Sequence, residues 1–141
     1  MTDPRPSQGF RQLDHTADLA FEFWAPTEVA LLLEGARGMI EVMTDGATLE
    51  ADHEDELDID SLDPEDRLVR WLNAVLYAAV VDGFVLASAT LDLRDGGLAA
   101  HVRGEAGGRA RIANELKSVT YHDLRLEHHS HGWYARVVVD V

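Results

Sequence analysis

The spacing of apolar residues changes several times along this chain, and each change marks an element boundary. Phe10 to Leu13 reads as a short strand. In the next apolar segment Leu19, Phe21 and Phe23 fall on one face and Ala20 and Glu22 on the other, the period of a second strand. After Pro26-Thr27-Glu28 the period lengthens to that of a helix. Val29, Leu32, Leu33, Ala36, Ile40 and Met43 make one apolar stripe, which predicts a helix running to about Met43. Residues 50–55 read as an acidic loop, and Glu56 to Asp60 as a short strand carrying Leu57 and Ile59. Asp63-Pro64-Glu65-Asp66 is a helix start, with a capping carboxylate, proline at the first position and acids in the first turn. The stripe Leu68, Val69, Leu72, Val75, Leu76, Ala79 and Val80 follows, and Gly83 stands where a left-handed residue would close the helix.

Beyond Gly83 the period drops to two. Val85, Ala87, Ala89, Leu91 and Leu93 alternate, Asp95-Gly96-Gly97 turns, and Leu98, Ala100 and Val102 return, which predicts a hairpin. Gly104 to Gly108 reads as a further turn, and residues 109–116 as a site for a helical turn. The segment from Lys117 to Glu127 breaks its own parity. Val119 and Tyr121 share the odd face and Leu124 and Leu126 the even one, so a one-residue bulge near His122-Asp123 is expected to keep both pairs in the core. His128-His129-Ser130-His131-Gly132 turns into a last strand, with Trp133, Ala135, Val137 and Val139 on one face and Tyr134, Arg136, Val138 and Asp140 on the other. The pattern predicts an α+β fold: a mostly antiparallel mixed sheet with two amphipathic helices packed on one face. At 141 residues, one domain over 10–141 is expected, behind a flexible N-terminal arm over 1–9 that carries two prolines.

Charge sharpens this picture. Asp and Glu number 26 against 12 Lys and Arg, for a net charge of −14. That balance opposes direct binding to a nucleic-acid backbone and suits a cation, a basic protein partner or plain solubility. Much of the acidity lies in residues 50–66, most simply a solvated face. Only one basic residue, Lys117, is a lysine, which hints at a need for its point charge or titratable amine. Without cysteine there is no disulfide framework or thiolate metal site. No apolar run approaches the roughly 18 residues of a membrane span, so a cytoplasmic protein without a membrane partner is expected.

Three clusters carry candidate chemistry. Asp14-His15-Thr16-Ala17-Asp18 lies near the start, and Asp140 and Val141 are the last two residues given. If the fold brings these ends together, their carboxylates make an oxygen-rich site for a hard cation; alone, such an acidic pair is usually just solvated. The tract His128-His129-Ser130-His131 has the composition of a zinc site, though an exposed hairpin tip is the commoner outcome. Lys117, Thr120, Tyr121 and His122 hold acid–base groups, but strand alternation splits them between two faces. No phosphate loop of the Walker or Rossmann kind is present, and no nucleophile elbow.

Taken in order, His15-Thr16-Ala17-Asp18, Leu68 to Asn73, Gly104-Glu105, Glu115-Leu116-Lys117-Ser118-Val119-Thr120-Tyr121-His122 and the closing Asp140-Val141 resemble the archease family over nearly the whole chain from Phe10. Archeases act as cofactors of the RtcB-type RNA ligase, which joins RNA ends in tRNA splicing and RNA repair. The resemblance implies a non-catalytic activator that promotes ligase guanylylation and turnover and meets RNA only indirectly, through the ligase. It implies a divalent ion, calcium in the family with magnesium or manganese as substitutes, held by Asp18, Asp140 and the carboxylate of Val141. Lys117 matches the family's lysine, with Leu116 and Ser118 in place of the usual isoleucine and alanine, and Lys117, His15 and Asp14 are the expected partner or phosphate contacts. Two other readings of the same residues stand beside it. One is a metal-dependent phosphoester hydrolase using Asp14, His15 and Asp18; the other is a chaperone-like module with a structural ion.

Overall fold

A computed structural model of the chain describes residues 7–13 and 18–141. Its elements run β1 (Gly9–Leu13), β2 (Leu19–Ala25), α1 (Glu28–Thr44), β3 (His53–Asp60), α2 (Pro64–Val80), β4 (Val85–Arg94), β5 (Gly97–Glu105), a 3-10 turn (Gly108–Arg111), β6 (Ser118–His129) and β7 (Gly132–Asp140). The architecture is α+β. Residues 1–6 of the expected arm lie outside the described residues, and Gly9 already belongs to a strand.

Both helices begin where their caps require. The Thr27 hydroxyl accepts from the Ala30 amide at 3.1 Å, and an Asp63 carboxylate oxygen accepts from the Asp66 amide at 2.8 Å, with Pro64 at the first helical position. Gly83, at φ +70°, takes the left-handed conformation just after α2. The β4–β5 turn is the two-residue Asp95-Gly96, and β3 starts three residues earlier than expected, inside the acidic run.

Where the sequence suggests one mixed sheet, the strands form two, ordered β1-β2-β7-β6 and β3-β5-β4, and every pairing is antiparallel. The helices pack against both: α1 meets β2 of one sheet and β4 of the other, and α2 meets β6 and β4. The reason lies in α1, whose buried surface is wider than a single stripe. Leu31, Leu32, Gly35, Ala36, Met39, Ile40 and Met43 are all buried, so one sheet cannot cover it. One apolar cluster runs through all of this, from Phe21 and Phe23 on β2 through Trp71 and Leu72 on α2 to Leu98 on β5. The Trp71 indole N–H donates to the Leu32 carbonyl at 2.8 Å, which satisfies the polar atom of a fully buried ring.

The parity break in β6 is real and larger than expected. Thr120 pairs with Val138 and Arg125 with Arg136, so residues 121–124 stand opposite Val137 alone. The bulge therefore holds three extra residues rather than one, with Asp123 at φ +52°. An odd insertion still flips the strand, so Val119 and Leu126 both face the core side. Tyr121 does not: it is 57% exposed.

Candidate functional site

β2, from the first part of the chain, and β7, the last strand, are neighbours in one sheet. Leu19 on β2 pairs with Val139 on β7, so one further step of the register sets Asp18 across from Asp140. Neighbouring strands run about 5 Å apart, so the backbone at these two positions comes close where the β2–β7 ladder ends. On the other flank Asp140 pairs with Ser118 of β6; the Ser118 hydroxyl donates to Asp140 Oδ2 at 3.3 Å, and the Lys117 amide donates to the Asp140 carbonyl at 2.8 Å. Val141 follows directly. Asp140, Val141 and Lys117 are exposed and Asp18 is half-buried. Asp14 and His15 lie outside the described residues.

The donors gathered here are carboxylate and hydroxyl oxygens, the set that suits calcium, magnesium or manganese. Among the described residues no three His, Asp or Glu side chains form a metal-binding cluster anywhere. Ser118 escaped the sequence reading as a site residue because a serine has no signal of its own; only its pairing with Asp140 reveals it.

Two buttresses hold this end of β6. Asn73 of α2 makes a two-point clamp on the strand: its Nδ2 donates to the Val119 carbonyl at 3.0 Å and its Oδ1 accepts from the Val119 amide at 2.8 Å. Because β6 is an edge strand, this side chain stands in for a missing neighbour. The bulge supplies the second. It turns Tyr121 toward the start of α2, where its hydroxyl donates to Asp66, which also accepts from the Leu62 amide and the Arg70 guanidinium at 2.9 Å each. The Tyr121 hydrogen bond first, then those partners, hold the Asp66 carboxyl below its ordinary range. Lys117, Thr120, Tyr121 and His122 are therefore not one site. Thr120 bonds the Val138 carbonyl, Tyr121 bonds Asp66, and His122 lies 3.3 Å from Asp123.

The histidine tract forms the β6–β7 hairpin tip. His128 stacks on Trp133 with centroids 4.2 Å apart, and His129 bonds Glu127 at 2.8 Å. His53 and His101 are exposed, as their isolation in the sequence suggests. No described helix is long and apolar enough to cross a membrane.

Known proteins share this fold and much of this sequence. Residues 10–141 match the model of the archease protein family (MTH1598/TM1083). The chain is 30% identical over 138 residues to protein archease of Methanopyrus kandleri, covering 94% of this chain and 99% of that one. Protein archease of Methanosarcina barkeri is 32% identical over 144 residues, covering 96% and 99%, and a probable protein archease of Mycobacterium tuberculosis is 30% identical over 139 residues, covering 98% and 78%. The solution structure of protein 1598 of Methanobacterium thermoautotrophicum superposes with a TM-score of 0.73 at 26% identity, over 94% of this chain and 99% of that one. With a family match spanning all but the first nine residues, the chain belongs to the archease family.

Proposed function

We propose that this protein activates an RtcB-type RNA ligase in tRNA splicing or RNA repair, and that Asp18, Asp140 and the carboxylate of Val141 hold a divalent cation at the contact. Family membership supports an activator that is not itself the catalyst. The observation that carries the reading is the β2–β7–β6 register, which sets Asp18, Asp140, Ser118 and Lys117 at one end of one sheet. Calcium is the proposed ion, with magnesium or manganese as substitutes, and it would supply fixed positive charge beside the ligase's own reacting groups. Lys117 then presents an ammonium to a phosphate or a ligase carboxylate. Asp14 and His15 are proposed as partner contacts. The carboxylate excess steers the protein toward a basic, RNA-handling surface, and RNA is reached through the ligase.

The test is guanylylation of a purified RtcB-type ligase with and without this protein. Wild type is expected to raise the yield and the number of turnovers, and Asp18→Ala and Asp140→Asn to lose most of that gain. No stimulation by wild type, or full stimulation by Asp18→Ala, would remove the mechanism. A C-terminal extension is expected to weaken both cation binding and stimulation, while an N-terminal tag leaves them unchanged; equal tolerance of both would remove Val141 from the ligand set.

A further inference from the structure

On the face of the four-stranded sheet turned away from the helices, the register lines up Arg11, Glu22, Arg136 and Arg125 in one row across β1, β2, β7 and β6. Both Glu22 oxygens are engaged, one by Arg11 and the other by the Tyr134 hydroxyl at 2.6 Å. Arg125 and Arg136 are directly opposite each other. Like charges in that position destabilise a sheet pair. Neither guanidinium has a carboxylate within ion-pair distance among the described residues, and the Arg136 Nε is buried with no hydrogen-bond partner. Glu127, two residues along β6, is taken by His129.

This is anomalous in a protein with 26 acids and 12 bases. Seven of the other described arginines meet a carboxylate, and Arg109 donates to the Val81 carbonyl. Two arginines set face to face, neither within ion-pair distance of an acid among the described residues, are arranged for an anion that comes from outside. The next row, two residues or about 7 Å along the strands, pairs Trp24 with Tyr134, both half-buried rings.

We infer that Arg125 and Arg136 form a phosphate subsite for one nucleotide, free or at the end of an RNA strand, with Trp24 and Tyr134 as the platform for its base. Forked guanidiniums match the geometry of phosphate oxygens, and a phosphate between them turns a repulsive pair into two charge-assisted contacts. A flat base stacks on an aromatic face without sequence preference. The net charge of −14 repels a long polyanion, so the subsite takes one phosphate rather than a duplex. This goes beyond the activator reading and is tested without any ligase, so the two succeed or fail separately.

The experiment follows the arginine Nε–Hε resonances of the full chain by NMR at fixed ionic strength. The probes are inorganic phosphate, adenosine 5′-monophosphate, a 3′-phosphorylated trinucleotide, adenosine and acetate. Saturable shifts at Arg125 and Arg136, with Arg94 unmoved, are expected from the three phosphate probes and not from adenosine or acetate. The nucleotide and the trinucleotide should bind more tightly than inorganic phosphate, and whichever of the two is tighter identifies a free nucleotide or an RNA end as the natural source. Arg136→Gln should weaken binding at Arg125 by at least about tenfold, and neither Arg125→Gln nor Arg136→Gln should lower the melting temperature, because each relieves the like-charge pair. No saturable shift with any phosphate probe, equal shifts with acetate, or a clear loss of melting temperature in Arg125→Gln would overturn the inference.

Discussion

Tyr134 shows how much a single contact decides. Burial first, and then its hydrogen bond to Glu22, push its hydroxyl up from 10.0 to about 12. The folded state favours the neutral phenol, so this contribution is complete below about pH 10 and is lost as pH rises toward 12. Chemical denaturation across that window should show an alkaline loss of stability in wild type and a smaller one in Tyr134→Phe. Asp66 works at the opposite end of the scale. Its carboxyl is held low chiefly by the Tyr121 hydroxyl, so its contribution is present above the ordinary carboxylate range and lost as pH falls through the lowered value. Tyr121→Phe should cost about 0.5–1.5 kcal/mol at neutral pH, toward the lower figure because the ring is half exposed, and the difference from wild type should shrink in acid. The capping role of Asp63 was legible in the sequence, because a cap acts on the next three residues. Tyr121 was not, because its partner lies 55 positions away.

Between elements, contact is close enough that side-chain volume decides it. A methyl group built on Gly38 of α1 would sit 2.1 Å from Cγ of the Phe10 ring, and one on Gly35 would sit 2.6 Å from the Phe23 ring. Helix propensity favours alanine by up to about 1 kcal/mol at such a position, while overpacking costs about 1–3. Gly38→Ala should therefore lower the melting temperature, because Cγ is the fixed end of the Phe10 ring and cannot swing aside. The Asn73 clamp is the other decisive contact. Asn73→Ala leaves the Val119 amide and carbonyl without their partners and should destabilise by about 1–3 kcal/mol, with faster hydrogen exchange at the start of β6. A normal exchange pattern in that variant would show that β6 holds its own edge. The β6 bulge was predictable in place from the parity of Val119 against Leu126, though not in length. Any odd insertion restores the core face, and within this one Tyr121 reaches Asp66 at the start of α2.

For the molecule as a whole, the carboxylate excess sets two predictions. Self-repulsion among exposed acids should weaken as salt rises, because the screening length falls from about 30 Å at 0.01 M to about 3 Å at 1 M. The melting temperature should therefore climb with sodium chloride. Calcium should add a separate, saturable rise at constant ionic strength, about 2.7 kcal/mol at a hundredfold excess over its dissociation constant, and Asp140→Asn should abolish that rise while keeping the response to sodium chloride. A calcium effect that survives in Asp140→Asn would assign the ion to the general acidic surface instead. The sequence by itself determined the two helices, the hairpins and the α+β class, because apolar period, caps and turn residues act over a few positions. Only the tertiary structure decided that the strands divide into two sheets around the helices, that Ser118 and Asn73 serve the Asp140 end, and that Arg125 faces Arg136. Each of these depends on pairing between residues distant in the chain, which a local pattern of polar and apolar positions does not encode.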